Sequence, residues 1–267
     1  MAGNLEATTS GGSGLFQVER HEQIVELTMI NGRVDVRSLA ERFGVTTETI
    51  RRDLGHLQDE KLVRRVHGGA VPWEGLRYEP LLKVRGSLNA EEKHRISKRA
   101  LEELPAEGSI LLDSGSTSAH LAQLLPDDRQ LTVVTNSIPA AQALENNEAM
   151  EVVLIGGTLR KNTMALVDAT GVDALKKIVV DVTFLCTDGA SPARGFTTPY
   201  TEEVAIKRAM ISSARRVVAL FDHSKVGNDR LHWFASIEEM DTIITDGAVS
   251  DQDATAFAEL GPLIVRA

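Results

Sequence analysis

The stretch TIRRDL, residues 49–54, sets two arginines between apolar residues and decides how the N-terminal part of the chain is interpreted. With Ile50 at zero on a helical wheel of ~100° per residue, the next two leucines fall beside it and form an apolar stripe. Arg52 falls almost opposite this stripe and Arg51 lies on one shoulder. We therefore predict a helix that buries its leucines and presents two guanidinium groups outward.

The flanking segments predict a winged helix-turn-helix over residues 18–72, after a disordered tail over residues 1–17. Apolar residues at helical spacing over 19–30, and again in VDVRSLAERFGV, indicate two earlier helices, the second stopped by Gly44. Thr46 or Thr47 can cap the third helix, and Glu48 in its first turn suits the helix dipole. KLVRRVHGGAV, residues 61–71, then predicts a hairpin with a Gly-Gly turn.

Polar residues of this helix and hairpin occupy positions that favour contact with DNA. Arginines in the first two turns of a recognition helix reach base edges in the major groove, where their planar fork matches guanine O6 and N7 or a phosphate. The basic hairpin suits phosphate contacts, which position the protein without specifying sequence. The alternative is a solvated helical patch in which Asp53 pairs locally with an arginine. The predicted DNA contacts are Thr46, Thr47, Thr49, Arg51, Arg52, His56, Lys61, Arg64, Arg65 and His67.

The distribution of charge supports two modules with different partners. The whole chain carries a net charge of −9, which by itself argues against a nucleic-acid partner. Residues 20–71, however, contain nine Lys and Arg against eight Asp and Glu, whereas residues 81–267 contain 19 against 26. The acidity therefore belongs to the second part of the chain, and the first part is free to meet DNA.

The remaining bulk features indicate a cytoplasmic protein with no membrane partner. The single cysteine, Cys186, excludes an internal disulfide and is interpreted as a buried strand residue. No apolar run approaches the ~18 residues that would span a bilayer, and the N-terminal residues lack the pattern of a signal peptide.

Beyond a predicted linker over residues 73–90, the pattern changes to strands alternating with helices. SILLD, LTVVTN, EVVLIGG, DVTFLCTDG, RVVALFD and DTIITD are short apolar runs, and helical stretches lie between several of them. Apolar strands separated by helices imply a largely parallel α/β sheet, here predicted as a domain over residues 91–260.

Small and polar residues follow the strands of this sheet and predict a phosphate site. DSGSTS sets Gly115 and the hydroxyl residues Ser114, Ser116 and Thr117 between a strand and a helix start, an arrangement that favours an anion nest. Carboxyl ends of parallel strands are where open α/β sheets bind ligands. Asp113 and Asp188 are expected to accept hydrogen bonds from sugar hydroxyls, and Lys225 to neutralise the phosphate. The alternative for each residue is loop capping. The predicted contacts are Asp113, Ser114, Gly115, Ser116, Thr117, Thr135, Asn136, Ser137, Gly156, Gly157, Asp188, Gly189 and Lys225.

These motifs together resemble the DeoR family of bacterial transcriptional regulators. TIRRDL, the upstream Gly32, Val34, Leu39, Ala40, Phe43 and Val45, and RRVHGGA resemble the family's N-terminal domain. DSGSTS, TNS, IGGTLR, TDG and DHSK match its later motifs in order, so the resemblance covers residues 18–260. The departures are Thr46 for a usual serine, Thr187 for a common glycine, and ALVDATG where a glycine often precedes the next helix.

The resemblance implies a doubly wound effector domain similar in fold to ribose-5-phosphate isomerase and CoA transferases. It further implies a repressor of sugar-metabolism or sugar-uptake genes that is a dimer or tetramer and is released by fructose 1-phosphate or another sugar phosphate. An activator shares every motif. An isomerase-like enzyme with Asp113 or Asp188 as base is the competing class, although no second acid follows DGASPARG. We predict no enzymatic activity and neither a metal nor a cofactor, and the absence of GxxxxGK[ST] excludes an NTP-type P-loop.

Overall fold

The computed structural model describes residues 17–60, 62–73, 79 and 81–267. Two compact units divide the chain, residues 1–74 and residues 75–267. The predicted tail over residues 1–17 lies outside the described residues except for its last residue, which begins the first helix.

The first unit is a three-helix domain with a small antiparallel sheet, as the winged helix-turn-helix prediction requires. Its strand order is β1-β3-β2, and β1 is a two-residue strand that the sequence analysis did not predict. A side chain at Gly69 would place its Cβ 1.9 Å from the Val34 carbonyl oxygen, so only glycine allows β1 to pair with β3. The elements are α1 Gln17–Asn31, β1 Val34–Asp35, α2 Val36–Phe43, α3 Thr47–Asp59, β2 Val63–Val66 and β3 Gly69–Pro72.

Local sequence signals fix both ends of α2. Asp35 caps α2, because its carboxylate accepts hydrogen bonds from the backbone N–H groups of Arg37 at 2.8 Å and Ser38 at 3.1 Å. Gly44 ends α2 with a φ of 63°, in the left-handed region that glycine adopts without strain. The predicted stop at this glycine is confirmed.

The second unit is built on a seven-stranded sheet in which every neighbouring pair is parallel. The order is β15-β14-β12-β9-β4-β5-β6, and six of these strands are the predicted apolar runs. Its strands are β4 Gly108–Leu112, β5 Leu131–Thr135, β6 Met150–Leu154, β7 Thr158–Arg160, β8 Ala165–Val167, β9 Val180–Cys186, β10 Gly189–Ser191, β11 Gly195–Thr198, β12 Ala214–Leu220, β13 His232–Ala235, β14 Thr242–Thr245 and β15 Leu263–Arg266. Its helices are α4 Leu82–Ser87, α5 Ala90–Ala100, α6 Ser116–Leu124, α7 Ile138–Ala143, α8 Ala169–Leu175, α9 Thr201–Ser212 and α10 Asp251–Ala258.

Two hydrophobic clusters cover the two faces of this sheet. Along β4, Leu111 belongs to one cluster, whereas Ile110 and Leu112 belong to the other. This alternation explains why the strands read as continuous apolar runs. The chain moves outward through β5 and β6 and then returns to build β9, β12, β14 and β15 on the other side of β4. The topological switch point therefore lies between β4 and β9, where ligands bind in open α/β sheets.

The structure differs from the sequence prediction at three places in the second unit. Residues 82–87 of the predicted linker form α4, and residues 79 and 81–90 belong to the second unit. The predicted domain end at residue 260 is too early, because β15 pairs with β14. Short antiparallel sheets formed by β7–β8 and by β10, β11 and β13 were not predicted, since runs of three or four residues carry little periodicity. Among the described residues, no helix has the length and apolar character needed to cross a bilayer.

Candidate functional site

The third helix presents its two arginines outward, as the wheel predicts. Thr46 is the cap, because its hydroxyl oxygen accepts a hydrogen bond from the Thr49 N–H at 3.1 Å. Ile50, Asp53, Leu54 and Leu57 form the buried stripe of α3. Arg51 and Arg52 are both exposed, and Arg51 makes a solvent-exposed pair with Glu48 at 3.2 Å. The remaining predicted contacts on α3 are Thr47 and Thr49, which are partly buried, and His56, which is exposed.

Asp53 has a structural role that was not predicted from the sequence. Its carboxylate accepts hydrogen bonds from Arg20 Nε at 2.7 Å and Arg20 Nη2 at 3.1 Å, and His21 Nε2 lies 2.9 Å away. Burial opposes the ionised form, but the hydrogen bonds from Arg20 and His21 hold the pKa of Asp53 below its usual value. The alternative in which Asp53 pairs with a neighbouring arginine is therefore wrong. The acid anchors α3 to α1, which leaves both arginines facing solvent.

The hairpin places further basic side chains on the surface of the same unit. Arg64, Arg65 and His67 are exposed. The Arg65 backbone N–H donates to Gln58 Oε1 at 3.0 Å, which ties the hairpin to α3. Lys61, also predicted to contact DNA, lies outside the described residues.

In the second unit, the loop after β4 forms the predicted helix start. Gly115 precedes α6 with a φ of 150°, and a Cβ there would lie 3.1 Å from the Cβ of Cys186. Ser114, Ser116 and Thr117 are buried around this turn. The Ser118 hydroxyl, also buried, has no hydrogen-bond partner in the part of the chain that the structure describes. This turn therefore has backbone N–H groups and hydroxyls available to an anion.

Asp113 is held by hydrogen bonds from the loop and from α9. One of its carboxylate oxygens accepts from the Ser114 N–H at 2.7 Å, and the other accepts from the Cys186 N–H at 3.0 Å and from Lys207 Nζ. The residue is fully buried. These bonds hold the carboxylate in the loop, and the role of Asp113 as an acceptor for sugar hydroxyls stays a prediction.

The predicted residues after β5 are mostly engaged in local structure. The Thr135 hydroxyl donates to the Leu112 carbonyl at 2.7 Å, and the Ser137 hydroxyl caps α7 by accepting from the Ala140 N–H at 3.2 Å. Asn136 Nδ2 donates to the Leu166 carbonyl at 3.1 Å. Asn136 Oδ1 is buried and accepts no hydrogen bond from any described residue. Of the three, Asn136 alone keeps a polar atom for a ligand.

Two of the predicted glycines, Gly157 and Gly189, allow another backbone segment to approach closely. A Cβ at Gly189 would lie 2.1 Å from the Asn228 carbonyl oxygen, and one at Gly157 would lie 2.7 Å from the Val167 carbonyl oxygen. Gly156 and Gly157 are exposed after β6. These glycines act through the backbone, whose close approach shapes the loops.

Five charged residues that we call the charge cluster lie at the switch point: Glu79, Arg85, Arg160, Asp188 and Glu203. Arg85 Nη2 lies 3.0 Å from Asp188 Oδ1 and its Nη1 lies 3.5 Å from Glu79 Oε1. Arg160 Nη2 lies 2.5 Å from Glu79 Oε2, and Arg160 also pairs with Glu203. Oxygens of the three carboxylates lie within 4.8 Å of one another. The two guanidinium groups occupy these oxygens, so the geometry is that of an ion-pair network.

The charge cluster carries three carboxylates against two guanidinium groups and therefore favours one bound proton. Burial, together with the Glu203 carboxylate, raises the pKa of Glu79 to about 7. Burial also opposes ionisation of Asp188, but the Arg85 guanidinium brings the pKa of Asp188 below its usual value. Protonation is therefore easier at Glu79 than at Asp188.

Two lysines add positive charge near the switch point. Lys207 Nζ bonds to Asp113 and donates to the Cys186 carbonyl at 2.9 Å. Lys225 is partly buried beside Asp222, and burial lowers its pKa despite the attraction of Asp222. The predicted Lys225 is therefore close to the site, whereas Lys207 was missed. Lys207 could have been recognised from the sequence, because one buried helical stripe contains two charged residues. The stripe consists of Glu203, Ile206, Lys207 and Met210.

These groups enclose a cavity barely large enough for one water molecule. Thr163 contributes a buried hydroxyl that has no hydrogen-bond partner among the described residues. Cys186 is buried in the wall, and burial raises the pKa of its thiol to about 12, which makes it unreactive. The lining residues are Arg85, Ser114, Thr163, Cys186, Thr187, Asp188, Glu203 and Lys207.

Both units of the chain match models of known protein families. Residues 20–74 match the DeoR-like helix-turn-helix domain, and residues 88–247 match the DeoR C terminal sensor domain. The second match ends before β15, which the structure shows as part of the sheet.

Curated relatives match along nearly their whole length. The chain is 38% identical to the HTH-type transcriptional regulator GlpR of Haloferax volcanii, over 94% of this chain and 98% of that protein. It is 31% identical to the glycerol-3-phosphate regulon repressor of Escherichia coli K12, over 86% and 91%. It is 28% identical to a putative aga operon transcriptional repressor of Escherichia coli O157:H7, over 92% and 93%.

Solved structures show more distant similarity. Ribose 5-phosphate isomerase A from Methanocaldococcus jannaschii superposes with a TM-score of 0.39 at 18% identity, covering 52% of this chain and 56% of that one. The probable sor operon regulator from Shigella flexneri superposes with a TM-score of 0.40 at 11% identity, covering 64% and 88%.

Proposed function

Since the chain belongs to the DeoR family of transcriptional regulators, we propose that it represses its target genes by binding operator DNA through α3 and the hairpin, and that a phosphorylated sugar or polyol releases it. Two observations carry this proposal: α3 presents Arg51 and Arg52 outward, and the switch point of the sensor unit carries a helix start surrounded by buried hydroxyls. The proposal covers the DNA contacts, the effector and the direction of regulation.

Exposure and anchoring support α3 as the helix that reads DNA. Arg52 is exposed on the face opposite the buried stripe, and the Arg20–Asp53 pair fixes the helix on the body of the unit. An arginine held in this way can donate two hydrogen bonds to a guanine. Arg64, Arg65 and His67 then contact phosphates, which adds affinity without sequence preference.

The chemistry of the switch point supports an anionic effector. The start of α6 offers N–H groups and hydroxyls, and Lys207 and Lys225 add positive charge nearby. Ser118, Asn136 and Thr163 each have a buried polar atom without a partner among the described residues, and these atoms suit the hydroxyls of a sugar or polyol. The name of the Escherichia coli relative suggests glycerol 3-phosphate as a first ligand to test, beside fructose 1-phosphate and hexose phosphates.

The same geometry argues against the isomerase-like alternative. Isomerisation needs a carboxylate base that is free to reach the substrate. Asp113 is bonded on both oxygens and Asp188 is paired with Arg85. The lowered pKa of Asp188 also makes it a weaker base. The curated relatives are named as regulators, which supports the same conclusion.

The decisive experiment combines a thermal-shift screen with operator release. Purified full-length protein is incubated with glycerol 3-phosphate, fructose 1-phosphate, hexose phosphates and inorganic phosphate, and a ligand at 100 times its dissociation constant should add about 2.7 kcal/mol of stability. The stabilising ligand should also lower affinity for DNA selected by the protein from a random pool. Sedimentation of the protein–DNA complex tests the proposed dimer or tetramer.

Two outcomes would contradict the proposal. Conversion of a sugar phosphate to its isomer by the purified protein would favour the enzyme. A ligand that strengthens DNA binding would replace the repressor by an activator.

A further inference from the structure

The charge cluster includes a residue from a segment that the sequence analysis assigned to a linker. Arg85 lies on α4, and its guanidinium lines the cavity together with Ser114 and Lys207. Its bonds to Asp188 and Glu79 are buried. With this side chain in place, the cavity at the switch point has no room for a sugar phosphate.

We propose that residues 81–89 are a lid over the effector site, latched by the Arg85–Asp188 pair, and that the effector displaces this lid when it binds. The inference deepens the proposed function, on which it rests for the chemistry of the ligand. An anion at the start of α6 lies beside Arg85 and competes with Asp188 for its guanidinium. A ligand larger than one water molecule must move α4 to be accommodated.

The way in which the lid is held supports this role. Val84 is its only fully buried apolar side chain among those described. The other attachments are polar: the Leu82 N–H donates to the Asn162 carbonyl at 2.8 Å, Asn89 Nδ2 donates to Asp222 Oδ1 at 2.8 Å, and Lys93 Nζ donates to the carbonyls of Arg85 and Leu88. A segment with little apolar burial opens at low free-energy cost compared with the core.

The position of the lid in the sequence connects its displacement to the chain that joins the two units. It begins seven residues after residue 74, the last residue of the first unit. A ligand that displaces the lid therefore acts on the stretch of chain that leads from one unit to the next.

Amide hydrogen exchange on the full-length protein without ligand tests the latch. The reporting amides are those of Arg85, bonded to the Leu81 carbonyl at 3.0 Å, and Leu88, bonded to the Val84 carbonyl at 3.2 Å. Arg85→Ala removes the ion pairs with Asp188 and Glu79 and should speed their exchange about 10- to 150-fold, if the closer pair with Asp188 counts as one buried charge-assisted bond. Arg95→Ala, which removes an exposed pair with Glu92 on α5, is the matched control and should leave these amides unchanged.

A second variant loosens the lid without changing its charge. Asn89→Gly removes the bond to Asp222, keeps the left-handed φ of 50°, and leaves Asp222 bonded to Ser224. It should also speed exchange at Arg85 and Leu88, while the amides of β9 stay protected. If neither Arg85→Ala nor Asn89→Gly changes the lid amides relative to Arg95→Ala, the latch does not exist and the inference is overturned.

The ligand arm uses glycerol 3-phosphate, fructose 1-phosphate and inorganic phosphate on the wild-type protein, with binding verified by thermal shift. A bound sugar or polyol phosphate should speed exchange at Arg85 and Leu88, because the lid is displaced. A ligand that stabilises the protein and releases operator while these amides exchange at an unchanged or slower rate overturns the lid and leaves the proposed function intact. If no phosphate binds, the proposed effector fails, and the ligand-free variants still decide whether the latch exists.

Discussion

Arg20→Met should strongly destabilise the first unit, because it breaks the buried pair that anchors the recognition helix. The side chains of Arg20 and Asp53 are only 11% and 3% exposed, and the carboxylate receives two hydrogen bonds from the guanidinium. Removing one partner of a buried pair costs about 3–5 kcal/mol. His21 remains 2.9 Å from Asp53 and retains part of the interaction, so the lower end of that range is expected. A loss of about 3 kcal/mol reduces the folded-to-unfolded ratio roughly 150-fold.

The two tryptophans allow this unit to be observed separately. Trp73 belongs to the first unit and Trp233 to the second, so urea unfolding in a Trp233→Phe background reports on the first unit. Arg42→Met, an exposed arginine at the end of α2, is the control and should change stability by less than about 0.5 kcal/mol. If Arg20→Met and Arg42→Met unfold at the same urea concentration, the Arg20–Asp53 pair does not hold α3 in place.

Four further predictions follow from the two sites. Arg52→Ala should cost about 1–3 kcal/mol in binding to the operator and less on random DNA; equal losses on both would make Arg52 a phosphate contact. Arg64→Ala and Arg65→Ala should each reduce the salt dependence of DNA binding by about one unit of slope, and unchanged slopes would remove the hairpin from the interface. Lys225→Ala should weaken effector binding about 10- to 150-fold, as expected for a lost charge-assisted bond, with operator affinity measured as the control. The pKa of Glu79 is raised to about 7, so its protonation stabilises the folded state fully below the pKa of the unfolded chain, and this stabilisation is lost as pH rises through 7. Melting temperatures measured from pH 5 to 8 should therefore fall more for the wild type than for Glu79→Gln. Parallel curves for the two proteins would refute this.

Local sequence signals were sufficient for the three helices of the first unit and for six strands of the parallel sheet. The apolar stripe of α3, the stop at Gly44 and the strand runs each carry enough periodicity to be recognised within a short window. The candidate site was predicted from the order of elements, because ligands in open α/β sheets bind outside the carboxyl ends of the strands. Both inferences depend on patterns within one element or on the order of elements.

The partners within the site could not be predicted in the same way. Glu79, Arg160 and Glu203 are separated by tens of residues in the sequence and become neighbours only after the sheet has formed. The backbone partners of Asp113 could not be predicted, because a carboxylate after a parallel strand can equally face a ligand or accept backbone N–H groups, and spacing does not distinguish the two. Arg85 was missed because α4 is six residues long and has no resolvable period.

Residues 79 and 81–90 belong to the second unit, which decides where the chain can be divided into fragments. A sensor fragment that starts at residue 91, the boundary suggested by the sequence, would lose Glu79 and Arg85. Asp188 would then lack its guanidinium, and Arg160 would keep only one of its two carboxylate partners. Ligand affinities measured on such a fragment would describe a site without its cover and with an altered balance of charge. A fragment that begins at residue 75 retains the whole cluster and is the appropriate one for binding and crystallisation.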